Sequence, residues 1–243
     1  MSLIVTVYVR EGIVMAADSR LTLDANTQQG NRQVTKLAVG LTDSVRKCFL
    51  APGAVGIATY GAADIGGVPI TGYIESFLSE RLAGGGQSVD AVPGLLLDYF
   101  KQLPGPPATQ FHVAGYKAEG GKSVQHVWHL DVAAGTATRI NNPDQQGAAW
   151  GGEADVLSRL VNPLWSKDQA GTLAELPSYP IPWQFFTLQD AIDFAGYAIR
   201  ATIDTMKFQA RPKTVGGAVD VLVLKPTEAI WISQKTLSAV GVA

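Results

Sequence analysis

Residues 3–9 read Leu-Ile-Val-Thr-Val-Tyr-Val, with Leu3, Val5, Val7 and Val9 alternating with Ile4, Thr6 and Tyr8. β-branched side chains on a two-residue period favour an extended strand. Glu11-Gly12 supplies a turn, and Ile13-Val14-Met15-Ala16-Ala17 forms a second strand ending at Asp18. A β-hairpin therefore opens almost at the first residue, where most domains carry a few loose residues.

A second hairpin is expected from Val45 to Thr59, turning at Pro52-Gly53. Tyr73, Ile74, Phe77, Leu78 and Leu82 share one helical face, and that helix stops at Gly84-Gly85-Gly86. Ser88 is placed to cap a second helix with Val92, Leu96, Phe100 and Leu103 on its apolar face. Strands return over 111–116, 124–131 and 136–140. A third helix is expected over Gly152–Leu164 and a fourth after Thr187, with Asp190 completing a capping box. Strands over 219–224 and 229–233 close the chain. Runs of like elements, rather than strict alternation, predict an α+β fold: two antiparallel sheets face to face with helices outside, a four-layer αββα sandwich in one domain over residues 1–243. Pro163–Phe186, with four prolines and two tryptophans, lacks periodicity and reads as a surface excursion or partner-binding rim.

Hydrophobic residues make up 47% of the 243, enough for a large core, while 19 basic residues nearly balance 21 acidic ones. That balance leaves no electrostatic footprint for nucleic acid or an anionic membrane. No apolar run approaches the ~18 residues of a membrane span, and no secretory leader is visible, so a cytoplasmic location is expected. The lone Cys48 excludes an intrachain disulfide and cysteine-rich zinc patterns. His126 and His129 flank Trp128, but strand alternation puts positions three apart on opposite faces, against a metal site.

Removal of Met1 would leave Ser2 with both a hydroxyl and a free α-amine. Such an amine titrates near ~7.7–8.0 and can take the hydroxyl proton directly or through a water. One residue then supplies nucleophile and base, and the strand behind it supplies rigidity.

Gly12-Ile13-Val14-Met15-Ala16-Ala17-Asp18-Ser19-Arg20 resembles the "GVVLAADSR" signature of proteasome β-subunits and related bacterial peptidases, whose aspartate lies sixteen residues after the nucleophile. Counting back sixteen from Asp18 lands on Ser2. Val45-Arg46-Lys47-Cys48-Phe49 is similar to that family's lysine-bearing strand. Gly56–Asp64, Val113–Tyr116, Trp150-Gly151-Gly152 and Val215–Asp220 follow in family order. The resemblance, which belongs to N-terminal-nucleophile hydrolases, implies four roles. Ser2 is the nucleophile, Lys47 the charge beside it, Asp18 the partner of Lys47, and the backbone N–H of Tyr60 the oxyanion donor. It also implies peptide-bond hydrolysis without metal or cofactor, a peptide or unfolded-protein substrate, and a homo-oligomer, ring or spiral. An unfoldase partner is left open.

The pattern departs from that family at several points. Trp150 and Val215 stand where it carries accessory serines, residues 211–214 contain no aspartate, tyrosine replaces glycine at position 60, and serine replaces the nucleophilic threonine. From the residues alone, Asp18 also fits a turn and Lys47 a solvent-facing strand lysine, while Lys36 is a rival for the lysine role. A non-catalytic ring subunit and an amidohydrolase acting on small amides are the alternative functions.

Overall fold

The computed structural model describes residues 2–29, 32–105 and 107–236, with the backbone alone for 24–29 and 32–41. The N-terminal hairpin consists of β1 (Leu3–Val9) and β2 (Gly12–Ala17), with Ile4 opposite Ala17 and Val9 opposite Gly12. Every residue of both strands is buried. Burial on both faces explains why apolar residues occupy both phases of the alternation.

β3 (Leu21–Gln29) and β4 (Arg32–Thr42) form a separate two-stranded ribbon, which takes up the long connection from Asp18 to Lys47. β5 (Cys48–Ala51) and β6 (Val55–Gly61) follow, and then a short ladder of β7 (Asp64–Ile65) and β8 (Val68–Pro69). Helix α1 (Ile70–Phe77) continues as a π-helical turn to Leu82, and α2 spans Val92–Lys101. Then come β9 (Thr109–Glu119), β10 (Lys122–Asp131), β11 (Thr136–Arg139), β12 (Gly147–Gly152) and α3 (Asp155–Val161). A small ladder of β13 (Trp165–Lys167) and β14 (Leu173–Glu175) precedes α4 (Leu188–Phe208), β15 (Asp220–Leu224) and β16 (Ala229–Ser233).

Two five-stranded antiparallel sheets result, ordered β12-β1-β2-β15-β16 and β11-β10-β9-β6-β5. The N-terminal strand thus lies inside a sheet, held by β12 on one side and β2 on the other. Among the described residues, apolar side chains gather in three clusters. Ile4, Ile13 and Met15 of the first sheet pack with Cys48, Ala58 and Val127 of the second. Ile57, Phe111 and Val113 pack with Phe77, Leu96 and Phe100 of the first helices, and Val5, Val7 and Val14 with Leu157, Ala195 and Ile199 of the later ones. The fold is mixed α/β with antiparallel sheets.

Three local expectations change. Residues 147–152 are strand, and the third helix is confined to Asp155–Val161. The glycines make close packing possible here, because a Cβ on Gly151 would lie 2.3 Å from the Tyr60 ring. Ser88 does not cap α2 through its side chain; its carbonyl accepts from the Ala91 and Val92 amides. The 163–186 excursion contains the β13–β14 ladder and a 3₁₀ turn at Trp183–Phe185, and most of it is exposed. The Thr187–Asp190 capping box of α4 is formed in both directions. Among the described residues, no helix is long and apolar enough to cross a membrane.

Candidate active site

Asp18 stands where β2 ends, fully enclosed, and its two carboxylate oxygens collect four donors. Oδ1 accepts from the Leu3 amide at 3.0 Å and from Lys47 Nζ at 2.8 Å. Oδ2 accepts from the Arg20 amide at 3.2 Å and the Gly216 amide at 3.0 Å. A carboxylate with only 1% of its residue exposed requires that compensation, since an unpaired buried charge is strongly disfavoured. Asp18 therefore ties the first strand, its own hairpin, the lysine segment and the loop before β15 to one point.

Lys47 immediately precedes β5, and its ammonium is nearly as enclosed, with 4% of the side chain exposed. Besides Asp18, Nζ donates to the Arg20 carbonyl at 2.5 Å. Burial pushes the Lys47 amine below its ordinary range, and the Asp18 carboxylate beside it opposes that shift. Lys47 is not the solvent-facing lysine that the residues alone also allowed, and Asp18, though it binds the Arg20 amide two residues on as a turn former does, also binds Lys47. The side chain of Lys36, the rival lysine, lies outside the described residues.

Ser2 is 7% exposed, and its backbone is held on both sides. Its carbonyl accepts the Glu153 amide at 2.8 Å, and the next amide, Leu3, binds Asp18. Gly152 has φ +96° and leaves no room for a side chain, because a Cβ there would lie 1.7 Å from the Ser2 carbonyl oxygen. Ser2, Lys47, Thr59 and Tyr60 line one small cavity. Met1 lies outside the described residues.

Tyr60 reaches that cavity, but its amide does not face it. In a strand, successive residues direct their N–H and C=O groups to alternate neighbours. The Thr59 amide donates to Lys47 O at 2.9 Å on the β5 side, and the Ala62 amide to Ala108 O at 2.9 Å on the opposite side. Tyr60, opposite Gln110 in β9, directs its amide to β9 with Ala62, and its carbonyl accepts from Thr109 Oγ1 at 3.0 Å. The oxyanion role expected of the Tyr60 amide is corrected on this ground. Gly61 is the next residue facing the β5 side, beyond the end of that strand, with φ +101° and no room for a Cβ beside Ala108 O. The Tyr60 ring turns between the sheets, its hydroxyl 2.9 Å from His129 Nε2.

The remaining polar residues have other partners. His126 meets Glu119 at 2.8 Å, on the face of β10 opposite to His129. His112, which sequence reading passed over, is enclosed between the sheets with Nδ1 2.9 Å from Thr6 Oγ1. Cys48 lies in the core between the sheets, where burial pushes its thiol up. Trp150 and Val215 both pack against the cluster on the helix side of the first sheet, Val215 buried and Trp150 partly so. Arg20 and Asp43 form a two-pronged pair at 2.7 and 2.8 Å beside the site, and the guanidinium holds the Asp43 carboxyl below its ordinary range.

No family profile matches the sequence, and no curated protein matches it. Among solved structures it is similar to the Anbu (Gly-1) mutant from Hyphomicrobium sp. strain MC1, with a TM-score of 0.57 and 14% identity over 96% of this chain and 87% of that one. At that identity the likeness is one of fold alone. The resemblance to proteasome β-subunits is corrected accordingly: the quoted motifs do not make the chain a member of that family. Close approaches in this fold account for several of the glycines in those motifs. Gly151 meets Tyr60, Gly152 meets Ser2, and Gly216 leaves room for Arg20.

Proposed function

We propose that the chain is a hydrolase of amide bonds with an N-terminal serine nucleophile, acting on peptide or unfolded-protein substrates. After Met1 is removed, the Ser2 hydroxyl attacks the substrate carbonyl while its own α-amine accepts the hydroxyl proton. An acyl-ester forms at Ser2, the amine proton passes to the leaving nitrogen, and water then releases the acid. The Lys47 ammonium lowers the cost of alkoxide formation, and Asp18 fixes its position. The Gly61 amide, in place of Tyr60, is the backbone donor proposed for the developing oxyanion. The observation that carries this reading is the enclosed Lys47–Asp18 pair at 2.8 Å, with Lys47 and Ser2 lining one cavity.

The three apolar clusters support stacking as helices, sheet, sheet and helices, the four-layer αββα sandwich, in one domain over residues 1–243. Assembly into a homo-oligomer, a ring or spiral in the cytoplasm, completes the proposal, and no cofactor takes part in the reaction as written.

Intact-mass measurement of the native protein, with and without a serine-directed fluorophosphonate, tests the chemistry. The expected result is loss of one methionine and a single adduct, absent in Ser2→Ala. A retained Met1, or an adduct that survives Ser2→Ala, overturns the proposal. Turnover of fluorogenic peptides over small amides supports the substrate class, and the reverse preference rejects it.

A further inference from the structure

The loop entering β15 and the corner leaving β12 each hold one half of the candidate site. The corner holds Ser2: Gly152 admits its carbonyl and the Glu153 amide binds it at 2.8 Å. The loop holds Asp18 through the Gly216 amide at 3.0 Å. Arg211 makes a polar link between the two. It donates to Asp155 through both terminal nitrogens, at 3.0 and 3.1 Å, and lies 3.6 Å from Glu153 Oε2. Its side chain is 26% exposed and that of Glu153 18%, so the contact is partly shielded from solvent.

We infer that Arg211 is a positioning residue, which holds Ser2 and Asp18 in register with one another. The contacts form a closed circuit. Ser2 is bound by Glu153, the Glu153–Asp155 corner by Arg211, and Asp18 by Gly216, five residues after Arg211. Asp18 in turn binds Leu3, next to Ser2. A planar guanidinium fits this place because it grips a carboxylate in two directions and fixes an angle as well as a distance. Trp150 and Val215, beside the corner and in the loop, carry no hydroxyl and pack against the apolar cluster on the helix side of the first sheet. The clasp supplies rigidity by another route. The link between corner and loop is independent of the proposed chemistry; its effect on reaction rate rests on Ser2 being the nucleophile.

The test uses the full chain and its Arg211→Met and Arg211→Lys variants, with Asp155→Asn cutting the same contact from the other side should Arg211→Met fail to fold. Amide hydrogen exchange reads the clasp. Exchange at Leu3, Glu153 and Gly216 is expected to rise at least tenfold in Arg211→Met, with Val113 in β9 unchanged. Unchanged exchange at the three amides overturns the inference. Fluorophosphonate labelling of Ser2 reads the consequence. The maximal labelling rate is expected to fall at least tenfold at unchanged reagent affinity, with partial recovery in Arg211→Lys. Looser amides with an undiminished labelling rate make Arg211 merely structural and also overturn the inference. If the parent chain is not labelled at all, the proposed function fails, and the exchange result alone decides whether Arg211 holds the register.

Discussion

At the scale of single residues, Asp18 and Lys47 are an enclosed charge pair whose members depend on each other. Removing one partner of such a pair leaves an uncompensated buried charge and costs about 3–5 kcal/mol, whereas removing both costs less than the sum. Loss of Asp18 is the heavier of the two, because three backbone amides besides Lys47 then lose their acceptor, whereas loss of Lys47 leaves those amides on the carboxylate. Lys47→Met and Asp18→Asn are each expected to lose about that much stability. The double variant should lose clearly less than the two losses added, as read by urea denaturation of all four proteins. Additive losses would show that the pair does not act as a unit. The pairing of Asp18 with Lys47 was expected only through the family resemblance, since the residues alone also allowed a turn aspartate and a solvent-facing lysine; their positions at strand ends were legible from the flanking apolar patterns. The amide direction at Tyr60 and Gly61 was not, because it depends on which strands flank β6 and on where β5 ends. Arg211 left no sequence signal either, since its partners Glu153 and Asp155 lie more than fifty positions away.

At the scale of elements, β12 shows what glycine does in this fold. Its sequence, Gly147-Ala148-Ala149-Trp150-Gly151-Gly152, has weak strand propensity, and its last residue is where the sequence predicts a helix to begin. Its strand state comes from pairing with β1, with Leu3 opposite Gly152 and Val5 opposite Trp150, which is a tertiary effect. Burial of β1 and the capping box of α4, by contrast, were written in local residues. Gly152 and Gly94 offer a matched comparison. Gly152→Ala combines a left-handed backbone with a Cβ forced onto the Ser2 carbonyl, so it is expected to displace Ser2 and abolish its labelling. Gly94 is exposed within α2 with nothing within 4 Å of an added Cβ. Gly94→Ala is therefore expected to stabilise the protein by about 0.5–1 kcal/mol through reduced backbone entropy. Thermal melts and Ser2 labelling of the two variants check both outcomes.

At the scale of the whole molecule, stability depends on how the two sheets face each other, and one titratable group there is held neutral. The order of strands and helices made a mixed α/β fold with antiparallel sheets legible, but not which polar side chains would be shut inside it. His112 is such a group, packed against Tyr60 and His129 with Thr6 Oγ1 at Nδ1. Burial, with a smaller effect from His129, lowers its pKa from 6.5 to about 3. Below pH 6.5 the unfolded chain takes up a proton at this site while the folded chain does not, until the pH nears 3. Protons bound preferentially by the unfolded state make stability fall as the pH drops, by up to about 1.4 kcal/mol per pH unit for one group. The contribution is complete above pH 6.5 and is lost progressively on acidification toward pH 3. His112→Asn removes the titration but keeps a polar atom for Thr6. It is expected to be less stable than the parent at pH 8, yet to lose less on going from pH 6.5 to pH 4.5. Urea denaturation at a series of pH values measures both slopes. Parallel slopes would mean that acid sensitivity in this range comes from other groups and that protonation of His112 is not what forces the sheets apart.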